Sequence, residues 1–173
     1  MKAFEAASRN INGIYQLLTR SPLHPTGGTA YLTLENQEEP FNGGVKFCAM
    51  PPGKRFRDMD QLSGGEKTIA ALALLFAIHT HSPAPFYVMD EIDAALDNVN
   101  VQKVANFISQ KCGKSVQFIV ISLKDLFYHH AESLVGIYRD KAAACSRTLT
   151  MDLAPYSTAK SIEDDRAAQK ISE

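Results

Sequence analysis

The sequence predicts an α/β fold with parallel strands at its centre. Three observations carry the prediction. Short apolar runs at residues 86–89 (FYVM) and 116–122 (VQFIVIS) read as strands buried on both faces, the pattern of a parallel sheet. A helix at residues 99–111 lies between them, with Val101, Val104, Ala105 and Ile108 on one side. A second, longer helix precedes the first run, so helix and strand alternate through the middle of the chain.

In chain order, Phe4, Ala7, Ile11, Ile14 and Leu18 recur at alternating spacings of three and four. Such spacing is a heptad seam, and equally the stripe of an amphipathic helix on a globular core. Gly13 weakens the helix in either case. With no capping residue ahead of it, this segment reads as the end of a longer helix. SPLHPTGG (21–28) breaks it. TAYLTLEN (29–36) alternates as a strand with β-branched Thr29 and Thr33, EEPFNGG (38–44) turns, and VKFCAM (45–50) is a second strand. PPGKRFRDMD (51–60) reads as a loop. The helix from Gly64 to about His79 is apolar nearly all round, which predicts a buried element, and SPAP ends it. KDLFYHHAE (124–132) is expected to be a helix, and LVGIYRD (134–140) and SRTLTMDL (146–153) strands. Residues 156–173 have few apolar side chains and read as a mobile tail.

Composition narrows the function classes. The 173 residues are about one domain's worth, 45% hydrophobic, with a net charge of −1. Bulk charge therefore makes no case for nucleic acid or an anionic membrane. The longest apolar run, residues 69–78, is too short to span a bilayer. Cys48, Cys112 and Cys145 are odd in number and far apart, which points to reduced thiols in a cytosolic or nuclear setting. The amino-terminal residues carry no secretory pattern.

Ser63-Gly64-Gly65-Glu66 opens the long helix. Serine followed three residues later by glutamate is a capping box, a sufficient reason for both. The two glycines are not explained by it, because each costs helix stability. Their lack of side chains would let an anion approach the bare N–H groups at the positive end of the helix dipole, with the Ser63 hydroxyl able to donate to it. Downstream, the strand FYVM ends in Asp90-Glu91. Ligands of open α/β sheets sit beyond the carboxyl ends of strands. Asp90 is placed to hold Mg²⁺, and Glu91 to polarise an attacking water. Two solvated carboxylates at a strand end are the bland alternative. Asp97 reads either as a residue at the mouth of that site or as the N-cap of the next helix.

The phosphate-cradling loop has the form Gly, four residues, Gly-Lys-Ser/Thr, after a strand and before a helix. Gly113-Lys114-Ser115 fails that test. Ile108 stands where the first glycine belongs, and helix and strand are in the reverse order. Gly113 reads as a helix C-cap. The sequence carries no P-loop. His79 with His81, and His129 with His130, have no zinc-site spacing. Lys54, Arg55 and Arg57 are a solvated loop cluster or a contact to nucleotide or DNA phosphates.

LSGGEK (62–67) resembles the signature motif of ABC-type ATPases, FYVMDE (86–91) their Walker B strand, and ALDN (95–98) their D-loop. With the heptad segment, residues 2–155 resemble the C-terminal lobe of an SMC-family head. HPTGGTAYLTLEN, PPGKRFRDMDQLSGGEK, DEIDAALDNVN and ISLKDLFYHHAESLVGIY are most similar to the cohesin branch, with condensin the nearest competitor. The resemblance implies a descending coiled-coil stub and entry helix at 1–20, a head lobe at 21–155 and the tail at 156–173. It implies ATP and Mg²⁺ as cofactors, with the P-loop in an N-terminal lobe far earlier in the parent chain. Asp90 would hold the metal through water, and Glu91 would be the catalytic carboxylate. Leu62, Ser63, Gly64, Gly65 and Glu66 would face the ATP of a partner head, with Asp97 near the junction.

Ser122 occupies the switch position where ABC transporters usually place a histidine. The implied partners are the N-terminal lobe of the same SMC protein, a second SMC head, the C-terminal winged-helix domain of a kleisin, and DNA, with no membrane. The implied location is the nucleus, on chromosomes, and the implied role is control of DNA entrapment in sister chromatid cohesion. A condensin or DNA-repair head, and a lobe serving mainly as a kleisin-binding scaffold, are the competing readings.

Overall fold

The computed structural model describes residues 1–112, 116–153 and 155. The chain divides into two compact units, Met1–Phe127 and Tyr128–Glu173. In the first, helix α1 (Lys2–Thr19) leads into strands β1 (Thr29–Leu34), β2 (Val45–Met50) and β3 (Arg57–Asp58). These form an antiparallel sheet in the order β1-β2-β3. Helix α2 (Gly64–His81), strand β4 (Phe86–Asp90), helix α3 (Asn98–Lys111), strand β5 (Gln117–Ile121) and the single turn α4 (Asp125–Tyr128) follow.

The seam of α1 is buried at Ala7, Ile11, Ile14 and Leu18, and the helix packs on α2, β1 and α3. Over these turns the stripe therefore serves a globular core. Thr19 shapes the exit from α1. Its hydroxyl donates to the Tyr15 carbonyl at 2.6 Å and accepts from the Gly28 N–H at 2.8 Å, across a turn in which Gly27 takes φ +70°. The loop expected at 51–60 holds β3, paired to β2 through Cys48–Asp58 and Ala49–Arg57, and a 3-10 turn at Met59–Gln61.

Helix α2 buries Ile69, Ala70, Leu72, Ala73, Phe76 and Ala77. Phe76 packs on Phe107 of α3, ring centroids 4.8 Å apart, and on Phe118 of β5 at 6.1 Å. Phe76 and Phe107 are buried, and burial of such a ring contributes about 1.5–3 kcal/mol. β4 and β5 pair in parallel, Phe86 opposite Gln117 through Asp90 opposite Ile121, as the apolar runs predict.

Three expectations fail. β4 and β5 are not buried on both faces: Phe86 is 56% exposed, Val88 59%, Ile119 45% and Ile121 50%. Nor is α2 buried all round, since Leu75 and Ile78 are exposed. The sequence supplies apolar side chains for both faces, but the described residues cover only one. The helix expected at 124–132 is shortened to α4, and in that stretch only Phe127 is buried.

The second unit is a hairpin of β6 (Ser133–Asp140) and β7 (Cys145–Asp152), in register from Ser133–Asp152 to Asp140–Cys145. Asp140 fixes its turn. One carboxylate oxygen accepts from the N–H groups of Ala142 and Ala143, and the other pairs with Arg147 at 2.9 Å. Val135, Ile137, Leu149 and Met151 are exposed. The expected C-cap at Gly113 and the tail at 156–173 lie outside the described residues.

Candidate active site

Ser63 is the N-cap of α2 and the capping box is complete. Its hydroxyl accepts from the Glu66 N–H at 3.4 Å, and its own N–H donates to Glu66 Oε2 at 2.9 Å. Glu66 Oε1 pairs with Lys54 at 2.7 Å. Partial burial would raise the Glu66 carboxyl, but the hydrogen bonds from Lys54 and Ser63 outweigh it and hold the group below the usual range. Of the basic cluster, Lys54 is thus engaged with the helix start, Arg57 donates to the Gln61 carbonyl at 3.3 Å, and Arg55 is exposed. Leu62 is buried, so it anchors the motif from below. Ser63 and Gly64 are exposed at the helix end, where the N–H dipoles favour an anion.

The two glycines differ. A Cβ on Gly65 would stand 2.9 Å from the carbonyl oxygen of Ala95, whereas one on Gly64 would meet only the Ala95 Cβ at 3.7 Å. Gly65 is therefore required by packing, because the 94–96 loop lies directly on it. Gly64 has no such constraint, which leaves it as the glycine without a structural explanation.

Asp90 and Glu91 are exposed at the carboxyl end of β4. Glu91 takes φ +47°, a conformation uncommon for a residue other than glycine. Its N–H donates to the Ile121 carbonyl at 2.9 Å, so β5 holds the residue in this bend. The chain then turns tightly. Ala94 N–H donates to the Glu91 carbonyl at 3.1 Å and Leu96 N–H to the Asp93 carbonyl at 3.0 Å. The turn ends at Asp97, whose carboxylate caps α3 through the Asn100 N–H at 2.8 Å. The capping alternative for Asp97 is thus realised, and its side chain remains exposed.

Ser122, just after β5, donates to Asp93 Oδ2 at 2.8 Å. Sequence reasoning missed Asp93, which is 3% exposed and among the described residues the one charged side chain in the core. It also missed Lys124, whose ammonium reaches the carbonyls of Asp93 and Leu96. An aspartate set among the small apolar residues of IDAAL is the signal that could have found the first. Contacts to main-chain carbonyls leave none for the second.

The residues singled out from the sequence thus fall at the two ends and on the flank of one seven-residue loop, 91–97. Asp90 and Glu91 offer hard oxygen ligands suited to Mg²⁺. They lie on open surface. A hollow of about 230 Å³ lies elsewhere, behind the α2 start between Tyr15, His24, Glu66 and Lys103.

The chain is similar to known proteins over most of its length. A family model described as the RecF/RecN/SMC N terminal domain matches residues 6–146. "Structural maintenance of chromosomes protein 1" of Arabidopsis thaliana is 57% identical over 168 residues, covering 90% of this chain and 14% of that protein. Its namesake in Schizosaccharomyces pombe is 61% identical over 154 residues, 89% of this chain and 12% of that protein. "Structural maintenance of chromosomes protein 4" of Saccharomyces cerevisiae is 46% identical over 149 residues, 86% and 10%. The chain therefore spans about a seventh or less of the curated relatives it matches.

Among solved structures, one described under "ATP-driven dimerization and DNA stimulated activation of SMC ATPases" matches with a TM-score of 0.76 at 40% identity, covering 96% of this chain and 94% of that one. The Smc head domain of Pyrococcus furiosus, bound to the C-terminal domain of ScpA, matches with a TM-score of 0.79 at 42% identity, covering 96% and 39%.

Proposed function

The chain belongs to the RecF/RecN/SMC family, on its SMC branch, and from that premise we propose that it is the C-terminal half of a cohesin-type ATPase head. The observation that carries this reading is the β4–β5 pair. It is a two-stranded parallel sheet with one apolar face left bare by the described residues, ending in Asp90-Glu91, in a sequence without a P-loop. Parallel sheets are stable only when both faces are covered, and two strands alone are marginal. The cover belongs to an N-terminal lobe that brings further strands and the phosphate loop.

In the completed head, Asp90 would hold Mg²⁺, which when bound neutralises charge on the β- and γ-phosphate oxygens. Glu91 would orient and polarise the attacking water of the same nucleotide. Its left-handed backbone, fixed by Ile121, supports that role, because strain of this kind collects at functional sites. Ser63 and the bare α2 N-terminus at Gly64 would meet the γ-phosphate of the ATP bound to a second SMC head, with Asp97 beside that junction. ATP would thus join the two heads, and its hydrolysis would part them, controlling DNA entrapment in cohesion on chromosomes in the nucleus. The relatives' names support the chromosomal assignment, and the higher identity to protein 1 than to protein 4 favours the cohesin branch over condensin. A kleisin winged-helix domain is the further partner, by analogy with the solved Smc head bound to the winged-helix domain of ScpA.

Two substitutions test the trans arrangement. Glu91→Gln keeps the shape of the side chain but removes the carboxylate, so ATP binds and heads accumulate in the engaged state. Ser63→Arg places a cation where the partner's γ-phosphate must approach, so each head binds ATP but engagement fails. Both lose hydrolysis, with opposite effects on ATP-dependent pairing in size-exclusion chromatography of reconstituted heads. If Ser63→Arg abolishes ATP binding to its own head, the trans assignment is wrong.

A further inference from the structure

The loop 91–97 joins the hydrolytic carboxylate to the surface offered to the partner head, and the Lys124 side chain reaches two of its main-chain carbonyls. Lys124 donates through its ammonium to the Asp93 carbonyl at 2.9 Å and to the Leu96 carbonyl at 2.5 Å. Its own N–H donates to Ser122 Oγ at 2.9 Å, and that hydroxyl donates to the buried Asp93 carboxylate at 2.8 Å. A tetrahedral ammonium carries three donors and can bridge two carbonyls three residues apart, fixing the turn from outside. Bonds from a charged donor are stronger than neutral ones, and Lys124 is partly withdrawn from water.

The pinned turn joins Glu91, Asp97 and the start of α2 at Gly65. At one end it accepts the N–H of Ala94 on the Glu91 carbonyl, and at the other it runs into the Asp97 cap of α3. In its middle, Ala95 presses on Gly65 at the start of α2. Any displacement of Asp93 or Leu96 therefore moves Glu91 relative to Ser63, Gly64 and Asp97. Ser122 is tied into the same network through Asp93.

We propose that Lys124 is a positioning residue, which clamps the 91–97 loop through two main-chain carbonyls and so sets the hydrolytic carboxylate of one nucleotide in register with the surface that meets the other. This rests on the half-head reading above. Lys124 does not touch nucleotide. It acts through the loop, so its loss is felt in engagement and turnover before it is felt in ATP binding by a single head.

The test uses heads reconstituted from this chain and a P-loop-bearing lobe, paired with a second head. Lys124→Met keeps the length and packing of the stem and removes the donors. Lys124→Arg keeps charged donors. For Lys124→Met the expected result is ATP affinity of the unpaired head within about twofold of wild type, and kcat and ATP-dependent pairing each reduced about ten- to a hundredfold, the size expected when charge-assisted hydrogen bonds are lost. KM should change little, and Lys124→Arg should recover a substantial part of both losses. Pairing is also measured in the Glu91→Gln background, where hydrolysis no longer contributes, and there Lys124→Met should still weaken it.

Pairing and turnover at wild-type levels in Lys124→Met would overturn the proposal. So would a loss of single-head ATP affinity as large as the loss of pairing, which would make Lys124 a nucleotide contact, and so would failure of Lys124→Arg to recover either. If Lys124→Met does not fold, Lys124→Gln replaces it under the same criteria, with Lys124→Arg still the rescue variant. A wild-type head that does not pair with ATP even as Glu91→Gln would instead remove the half-head reading itself, and the clamp with it.

Discussion

Gly64 and Gly65 are neighbours with different duties. The sequence shows two glycines where a capping box needs none, and from that alone both read as ligand contacts. Packing separates them: the Ala95 carbonyl excludes a side chain at 65 and nothing excludes one at 64. Gly65→Ala should therefore destabilise the reconstituted head by about 1–3 kcal/mol, the usual cost of overpacking. Gly64→Ala should leave thermal stability within about 1 kcal/mol of wild type while weakening ATP-dependent engagement. Thermal melts alongside a pairing assay check both, and equal loss of stability would refute the distinction. Asp97 was legible as a cap or a site residue because its spacing fits both. Lys124 was not legible, because its partners are carbonyl oxygens that every residue carries.

Among the elements, α1 to α3 were legible because their apolar spacing matches the helical period, and the α2 cap is written in the sequence as SGGE. β4 and β5 were legible as parallel strands, but not the exposure of one face. An apolar run records that a strand will be covered and not which chain covers it. The single turn α4 was overread because KDLFYHHAE permits a helix but buries only Phe127. The α1–α2 packing carries its own pH signature. Burial, then the nearby Glu66 carboxylate, pushes the Tyr15 hydroxyl up to about 12 from its usual 10. Below pH 10 both the folded and unfolded states keep this proton, and the contribution is constant. Between pH 10 and 12 the unfolded state releases it and the folded state does not, so stability falls. The stability difference between wild type and Tyr15→Phe should therefore shrink as pH rises from 9 to 11.5 in denaturant titrations. A constant difference would show that Tyr15 ionises as freely in the folded state as in the unfolded one.

The proposal for the whole molecule is that this chain forms one half of an ATPase head. The signature helix and the acidic strand end are present, the phosphate loop is not, and the sheet that should carry them all has one open face. The direct measurement is ATP turnover by this chain alone, by a separately expressed P-loop lobe alone, by the two mixed, and by the mixture with a second head. No turnover is expected from either lobe alone, ATP binding is expected on mixing, and turnover once the second head is added. Turnover by this chain alone at a rate matching the complete mixture would contradict the proposal.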